Sequence, residues 1–279
     1  MRAIIILVCI AALVAGCGES TLATGKTRVV AAFYPLAFAA QKIGGAKVEV
    51  LNLTPAGAEP HDLEVTPSTV RELRGADLVL LLGHGFQPQL EKAAGGSDSV
   101  LLLLDTPGLQ RYSNGDPHVW LDPVRFSLIV KRIGSALHAP GPTQRLVAQL
   151  QVLDREYRRG LAHCVRREIV TSHEAFAYLG ERYGLHQVAI TGLTPEAEPS
   201  PRDLQDVISI VRKTHATTIF FETLVSPRIA ETVAHETGAK TAVLNPIEGL
   251  KPDEVKAGKN YFTVMRSNLA HLRAALGCR

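Results

Sequence analysis

The stretch SPRDLQDVISIVRKTHATTIFFETLVSPRIAETVAHETGAKTAVL, residues Ser200 to Leu244, reads as helix, strand, helix, strand. Ser200-Pro201 and Ser226-Pro227 each set a capping hydroxyl before a proline, whose fixed φ and missing N–H suit the first helical turn. The amphipathic segments 201–214 and 227–237 follow these pairs. Residues 217–221 and 241–244 are short apolar runs of the kind that form buried strands. Helices alternating with strands in this way argue for a parallel sheet covered by helices.

The same alternation extends toward the N-terminus. Six further strand-like runs lie at 28–33, 48–53, 78–82, 100–104, 168–171 and 187–190, with amphipathic segments at 67–74 and 174–183. Thr66-Pro67 opens the first of these helices as Ser200-Pro201 opens the later one. The eight strands divide four and four around a strandless region, 123–167. Its second half, 143–163, has the apolar period of a helix through Leu146, Leu150, Leu153, Tyr157 and Leu161. Pro140 and Pro142 argue against one straight helix across the whole region. The expected architecture is α/β: an N-terminal lobe at 27–122, a linker helix region at 123–166 and a C-terminal lobe at 167–279.

Hydrophobic residues make up 46% of the 279 and charged residues 20%, enough apolar content for a real core. Net charge is +3 with no block of Lys and Arg, so nothing points to nucleic acid. Met1-Arg2 followed by the apolar run 3–15 has the form of a secretory signal, shorter than a membrane-spanning helix requires. Val14-Ala15-Gly16-Cys17 resembles a bacterial lipobox, which implies cleavage after residue 16, a lipidated Cys17 and a polar tether at 17–26. That places the expected mature protein outside the cytoplasm, anchored to the cell membrane. Two cysteines then remain in an oxidising compartment, Cys164 and Cys278, either as a disulfide or as two free thiols.

Three of the ten histidines stand at the ends of strand units: His61 after the second, His118 after the fourth, His173 at the end of the fifth. Ligands of open α/β sheets bind outside the carboxyl ends of the strands, so these imidazoles could close a cleft between the lobes. Imidazole suits Zn²⁺, and tetrahedral zinc needs a fourth ligand. Candidates for that place or for a supporting role are water, Asn245, Glu248, Glu222 and Glu59. Spacing alone does not make these histidines a motif. A His₃ zinc site with water could also serve a hydrolase, but no clear general base and substrate pocket accompany it, and no Gly-x-Ser-x-Gly elbow is present.

The contexts of His61, His118 and His173, together with Phe220-Phe221-Glu222 and Leu244-Asn245-Pro246-Ile247-Glu248-Gly249-Leu250, resemble the zinc- and manganese-binding proteins of ABC importers (the ZnuA/TroA-like group). The resemblance covers the chain from about residue 27 onward. It implies two lobes, each with a four-stranded parallel sheet flanked by helices, joined by a single long linker helix, with metal held between the lobes. It implies His61, His118 and His173 as ligands, and zinc rather than Mn²⁺ because His stands where manganese-type members tend to carry Glu. It further implies a monomer without enzymatic activity that delivers its ion to a membrane permease driven by a separate ATPase, and it favours a Cys164–Cys278 bridge. An Mn²⁺- or Fe²⁺-binding homologue with an adhesion role is the alternative. The sequence departs from the family in three places. Asn245 stands where the family often carries an Asp ligand, residues 105–118 contain no His-rich loop, and the linker is short around 138–142.

Overall fold

The computed structural model describes residues 25–279, and in it the eight apolar runs become eight strands. The expected leader 1–16, Cys17 and almost all of the tether 17–26 lie outside the described residues. The first sheet comprises β1 (Thr27–Ala31), β2 (Val48–Asn52), β3 (Leu78–Leu81) and β4 (Val100–Leu102), in the order β2-β1-β3-β4. The second comprises β5 (Glu168–Thr171), β6 (His186–Ala189), β7 (Thr218–Phe221) and β8 (Lys240–Val243), in the order β6-β5-β7-β8. Every strand pair is parallel. The strand order reverses between β1 and β3, and again between β5 and β7. Such switch points open a crevice at the carboxyl ends of the strands.

Helices pack on these sheets: α1 (Tyr34–Gly44), α2 (Pro67–Arg74) and α3 (Pro88–Ala94) in the first half, and α6 (Ala177–Tyr183), α7 (Pro201–Thr214), α8 (Arg228–Thr237), α9 (Pro252–Lys256) and α10 (Tyr261–Leu276) in the second. Two of the three caps read from sequence form, whereas at Ser226-Pro227 the helix starts a residue later, with Pro227 itself as the N-cap and no side-chain cap bond. Thr66 accepts from the Thr69 amide at 3.2 Å, and Ser200 from the Asp203 amide at 3.2 Å. The helix expected at 174–183 starts only at Ala177. Gln187 diverts the chain before it, accepting from the Phe176 amide at 3.0 Å and donating to the His173 carbonyl at 2.9 Å.

The linker region holds two helices, α4 (Pro123–Ala136) and α5 (Pro140–Gly160). Pro140 opens the 21-residue α5 at its first turn, where no backbone donor is lost to the helix. Leu146, Leu150, Leu153 and Tyr157 form its buried stripe, and the Tyr157 hydroxyl donates to the Met265 carbonyl of α10 at 2.6 Å. The main core runs from the first sheet through α4, α5 and α10 into the second half of the chain. A smaller cluster lies under α7 and α8, around Val170 and Ile219. Because the main core is shared, swinging the lobes widely apart would expose apolar surface at roughly 25 cal/mol per Å². Cys164 and Cys278 are bridged, fixing the end of α10 beside the entry to β5. Among the described residues, no helix is long and apolar enough to cross a membrane.

Close approach of α4 and α5 depends on Gly134. A Cβ there would sit 2.0 Å from Thr143 Oγ1, which is held by its own bond to the Ala139 carbonyl at 2.6 Å. Gly134→Ala should therefore lower stability by about 1–3 kcal/mol despite the better helix propensity of alanine. Urea denaturation of the two proteins checks this, and an unchanged or raised midpoint would contradict it.

Candidate metal centre

Four loops at the carboxyl ends of the strands converge between the lobes, and each contributes one side chain. His61 lies on the segment after β2, whose path is fixed from two sides. Gln87 donates to the Pro60 carbonyl at 3.0 Å, and the Gly57 amide donates to the Leu250 carbonyl at 2.9 Å. Gly57 has φ +89°, a conformation that glycine adopts without steric cost. The His61 ring stands edge-on to Phe86, with centroids 4.7 Å apart.

His118 directly precedes a single 3-10 turn, Val119–Leu121, and α4. Asp116 holds it twice, its Oδ1 accepting from the His118 amide at 2.9 Å and from Nδ1 at 2.8 Å. Asp122 caps α4 through the Val124 amide at 2.9 Å and is gripped by Arg125 at 2.8 Å and by Arg182 of α6 at 2.7 Å. Since Asp122 is wholly buried, this pairing across the two halves fixes the segment that carries His118. Tyr178 of α6 adds a bond to the Asp116 carbonyl at 3.1 Å.

His173 follows β5, and Glu248 lies in the loop after β8. The Glu248 loop is aimed by its neighbours. Asn245 Oδ1 accepts from the Ile247 amide at 2.7 Å, Asn245 Nδ2 donates to Thr223 Oγ1 at 2.9 Å, and Asn268 bonds both the amide and the carbonyl of Asn245. The Trp120 indole donates to the Pro246 carbonyl at 2.7 Å. Together these hold buried Ile247 at φ +61°, a conformation costly for a β-branched residue. The turn that results sends Glu248 inward.

The four side chains meet. One donor atom from each of His61, His118, His173 and Glu248 lies within 4.8 Å of the other three. Glu248 Oε1 is 2.8 Å from His118 Nε2, 3.3 Å from His61 Nε2 and 3.7 Å from His173 Nε2, while His118 Nε2 and His173 Nε2 are 3.4 Å apart. With zinc–ligand bonds of 2.0–2.1 Å, a tetrahedron has edges of about 3.3 Å. Four of the six separations, at 2.8–3.7 Å, lie close to that edge, and the two from His61 to the other histidines are within 4.8 Å. His118, His173 and Glu248 are fully buried, and His61 alone keeps an exposed edge.

Carboxyl groups crowd the cleft. Glu248, Glu222, Asp116 and Glu59 each have one buried carboxylate oxygen without a hydrogen-bond partner. Burial by itself would raise the Glu248 carboxyl, but hydrogen bonds from His118 and His61 outweigh it and hold the group well below its ordinary range. Burial likewise disfavours charge on His118, yet Asp116 and Glu248 push that imidazole up to about 9. Glu59 is driven the other way, up to about 10, first by burial and then by the charge of Glu248. A pocket that stabilises positive charge this strongly is suited to a cation.

Of the residues singled out from sequence, His61, His118, His173 and Glu248 come together. Glu222 stands behind His173, Glu59 borders His61 through a bond to its amide at 3.2 Å, and the Asn245 side chain is spent on the loop. Sequence reading assigned no role to Asp116. The signal was present in the Asp116-Pro117-His118 spacing, since an acidic side chain two residues back can reach both the amide and the ring of a histidine.

The fold and the cluster thus define a two-lobe α/β protein with a buried three-histidine, one-carboxylate site in its cleft. Comparison with known proteins agrees. The family model for the zinc-uptake complex component A, periplasmic (ZnuA), matches residues 29–275, and the chain belongs to that family. It is 34% identical to the zinc-binding lipoprotein AdcA of Streptococcus pneumoniae serotype 4, over 92% of this chain and 57% of that protein. It is 33% identical to the high-affinity zinc uptake system protein ZnuA of Bacillus subtilis, over 95% and 94% respectively. The chain therefore spans little more than half the length of the AdcA relatives it matches. Among solved structures, the Zn(II)-bound ZnuA-like domain of S. pneumoniae AdcA superposes with a TM-score of 0.78 at 34% identity, covering 90% of this chain and 99% of that one. The laminin-binding protein of Streptococcus agalactiae, described as a bifunctional adhesin and metal transporter, gives 0.81 at 29% identity, covering 90% and 100%.

Proposed function

We propose that this protein captures Zn²⁺ outside the cytoplasm through His61, His118, His173 and Glu248 and delivers it to an ABC importer. The convergence of those four donor atoms, all within 4.8 Å of one another, carries the reading. Three nitrogens and one oxygen suit Zn²⁺ better than Mn²⁺, which prefers an oxygen-rich sphere of higher coordination number. The family's role as a transport component supports binding without chemical conversion. The permease and its ATPase are separate chains, Cys17 carries the lipid that holds the monomer at the membrane, and the bridged C-terminus belongs to the extracytoplasmic part. Release proceeds through the loops around His61 and Glu248, because the shared core resists a wide hinge.

Metal titration tests the reading. The protein, stripped with chelator and reloaded, should hold one Zn²⁺ per chain and lose no zinc to an excess of Mn²⁺. Absence of zinc binding, or ready displacement by Mn²⁺, would overturn it.

A further inference from the structure

Sheet register brings a second group to the back of His173. Strands β5 and β7 are neighbours, and Thr171 pairs with Phe220. His173 and Glu222 both lie two residues beyond that pair, so their side chains leave the sheet side by side. Glu222 Oε1 accepts from His173 Nδ1 and also from Ser172 Oγ. His173 is fully buried and Glu222 is 3% exposed, so water does not compete for these bonds.

We infer that Glu222 is the positioning residue of His173: it holds the imidazole as the Nδ1–H tautomer, with Nε2 unprotonated and turned toward the other donors. The inference rests on the zinc reading above and adds a residue to it. A neutral imidazole carries one proton, and whichever nitrogen is engaged as a donor decides which nitrogen remains to bind metal. Nε2 of His173 faces His118 Nε2 at 3.4 Å and Glu248 Oε1 at 3.7 Å, and Nδ1 faces Glu222. Carboxylate acceptors behind ligating histidines fix ring orientation and raise ligand basicity. Asp116 does the same for His118 from within its own loop, but Glu222 acts across two strands. The same geometry keeps Glu222 out of the first coordination sphere. Its Oε1 is committed to Ser172 and His173, and the residue is absent from the set of donors that converge on one point.

Glu222→Gln, compared with wild type and His173→Ala, tests the assignment. Zinc affinity is read by chelator competition, geometry by the visible spectrum of the Co²⁺ form, and the His173 tautomer by long-range ¹H–¹⁵N spectra of the zinc form. The expected result is a loss of about 10- to 100-fold in zinc affinity. One metal per chain and a tetrahedral Co²⁺ spectrum should remain, with the His173 Nδ1 proton shifted upfield. Affinity and Nδ1 signal both unchanged would overturn the inference while leaving the zinc reading intact. A loss as large as that of His173→Ala, with collapse of the tetrahedral Co²⁺ bands, would overturn it in favour of Glu222 as a direct ligand. Wild type that binds no zinc would sink both readings together.

Discussion

His118→Ala should weaken zinc binding by about two to three orders of magnitude, with His173→Ala close behind. Apparent binding energies of structural zinc sites, roughly 10–16 kcal/mol, shared over four ligands give about 2.5–4 kcal/mol each. At 1.4 kcal/mol per tenfold, loss of one imidazole weakens binding by roughly 100- to 1,000-fold. The His118 variant should be the worse of the two. Its ring lies between Asp116 at 2.8 Å and Glu248 at 2.8 Å, and truncation leaves both carboxylates buried without the group that separates them. Chelator competition measures the affinities. The zinc-induced rise in melting temperature provides a second readout, since a ligand stabilises by RT ln(1 + [L]/Kd) and a site weakened roughly 100- to 1,000-fold forfeits about 2.7–4.1 kcal/mol of that stabilisation at saturating zinc. A wild-type-like rise in either variant would dissolve the cluster as a binding site.

Removal of the Cys164–Cys278 bridge should give a large loss of stability away from the cleft. The bridge closes a segment with a sequence separation of 114, for which chain entropy predicts at most about 5 kcal/mol. The expected cost is about 2–5 kcal/mol, or roughly 4–20 °C in melting temperature for a protein of this size. The loss acts on α10, whose Tyr261, Met265, Leu272 and Leu276 are buried in the main core. Cys164→Ser with Cys278→Ser should reproduce the shift that a reductant causes in wild type and show no further shift with reductant. Zinc affinity should stay within a few-fold of wild type. Cys164 precedes β5, whereas His173 and Glu248 follow the carboxyl ends of β5 and β8, so the bridge and the metal site occupy opposite poles of the second sheet. A bridge-free protein with an unchanged melting temperature would show that packing alone holds α10.

Local signals sufficed for most of the fold. All eight strands were legible as apolar runs between turn signals, and Thr66-Pro67 and Ser200-Pro201 marked helix starts because capping and the fixed φ of proline act within one turn. Pro140 was legible as a break but not as a beginning. Only packing against α4 and α10 shows that it opens α5. The three histidines were visible through their position at strand ends, which a parallel sheet turns into proximity.

The choice between Asn245 and Glu248 was not legible. Both are polar, both lie in the loop after β8, and either could face the cleft. Long-range bonds from Asn268, Thr223 and Trp120 decide it by forcing Ile247 to positive φ, which spends Asn245 on the loop and turns Glu248 inward. The partnership of Glu222 with His173 was hidden for a related reason, since it depends on the register between two strands 49 residues apart in their key positions. By itself, the sequence determined the βα plan, the Thr66 and Ser200 caps and the three imidazoles, because these follow from periodicity and one-turn chemistry. Tertiary structure alone decided which carboxylate enters the site and which stands behind it, because a buried charge settles where distant donors and the sheet register compensate its desolvation.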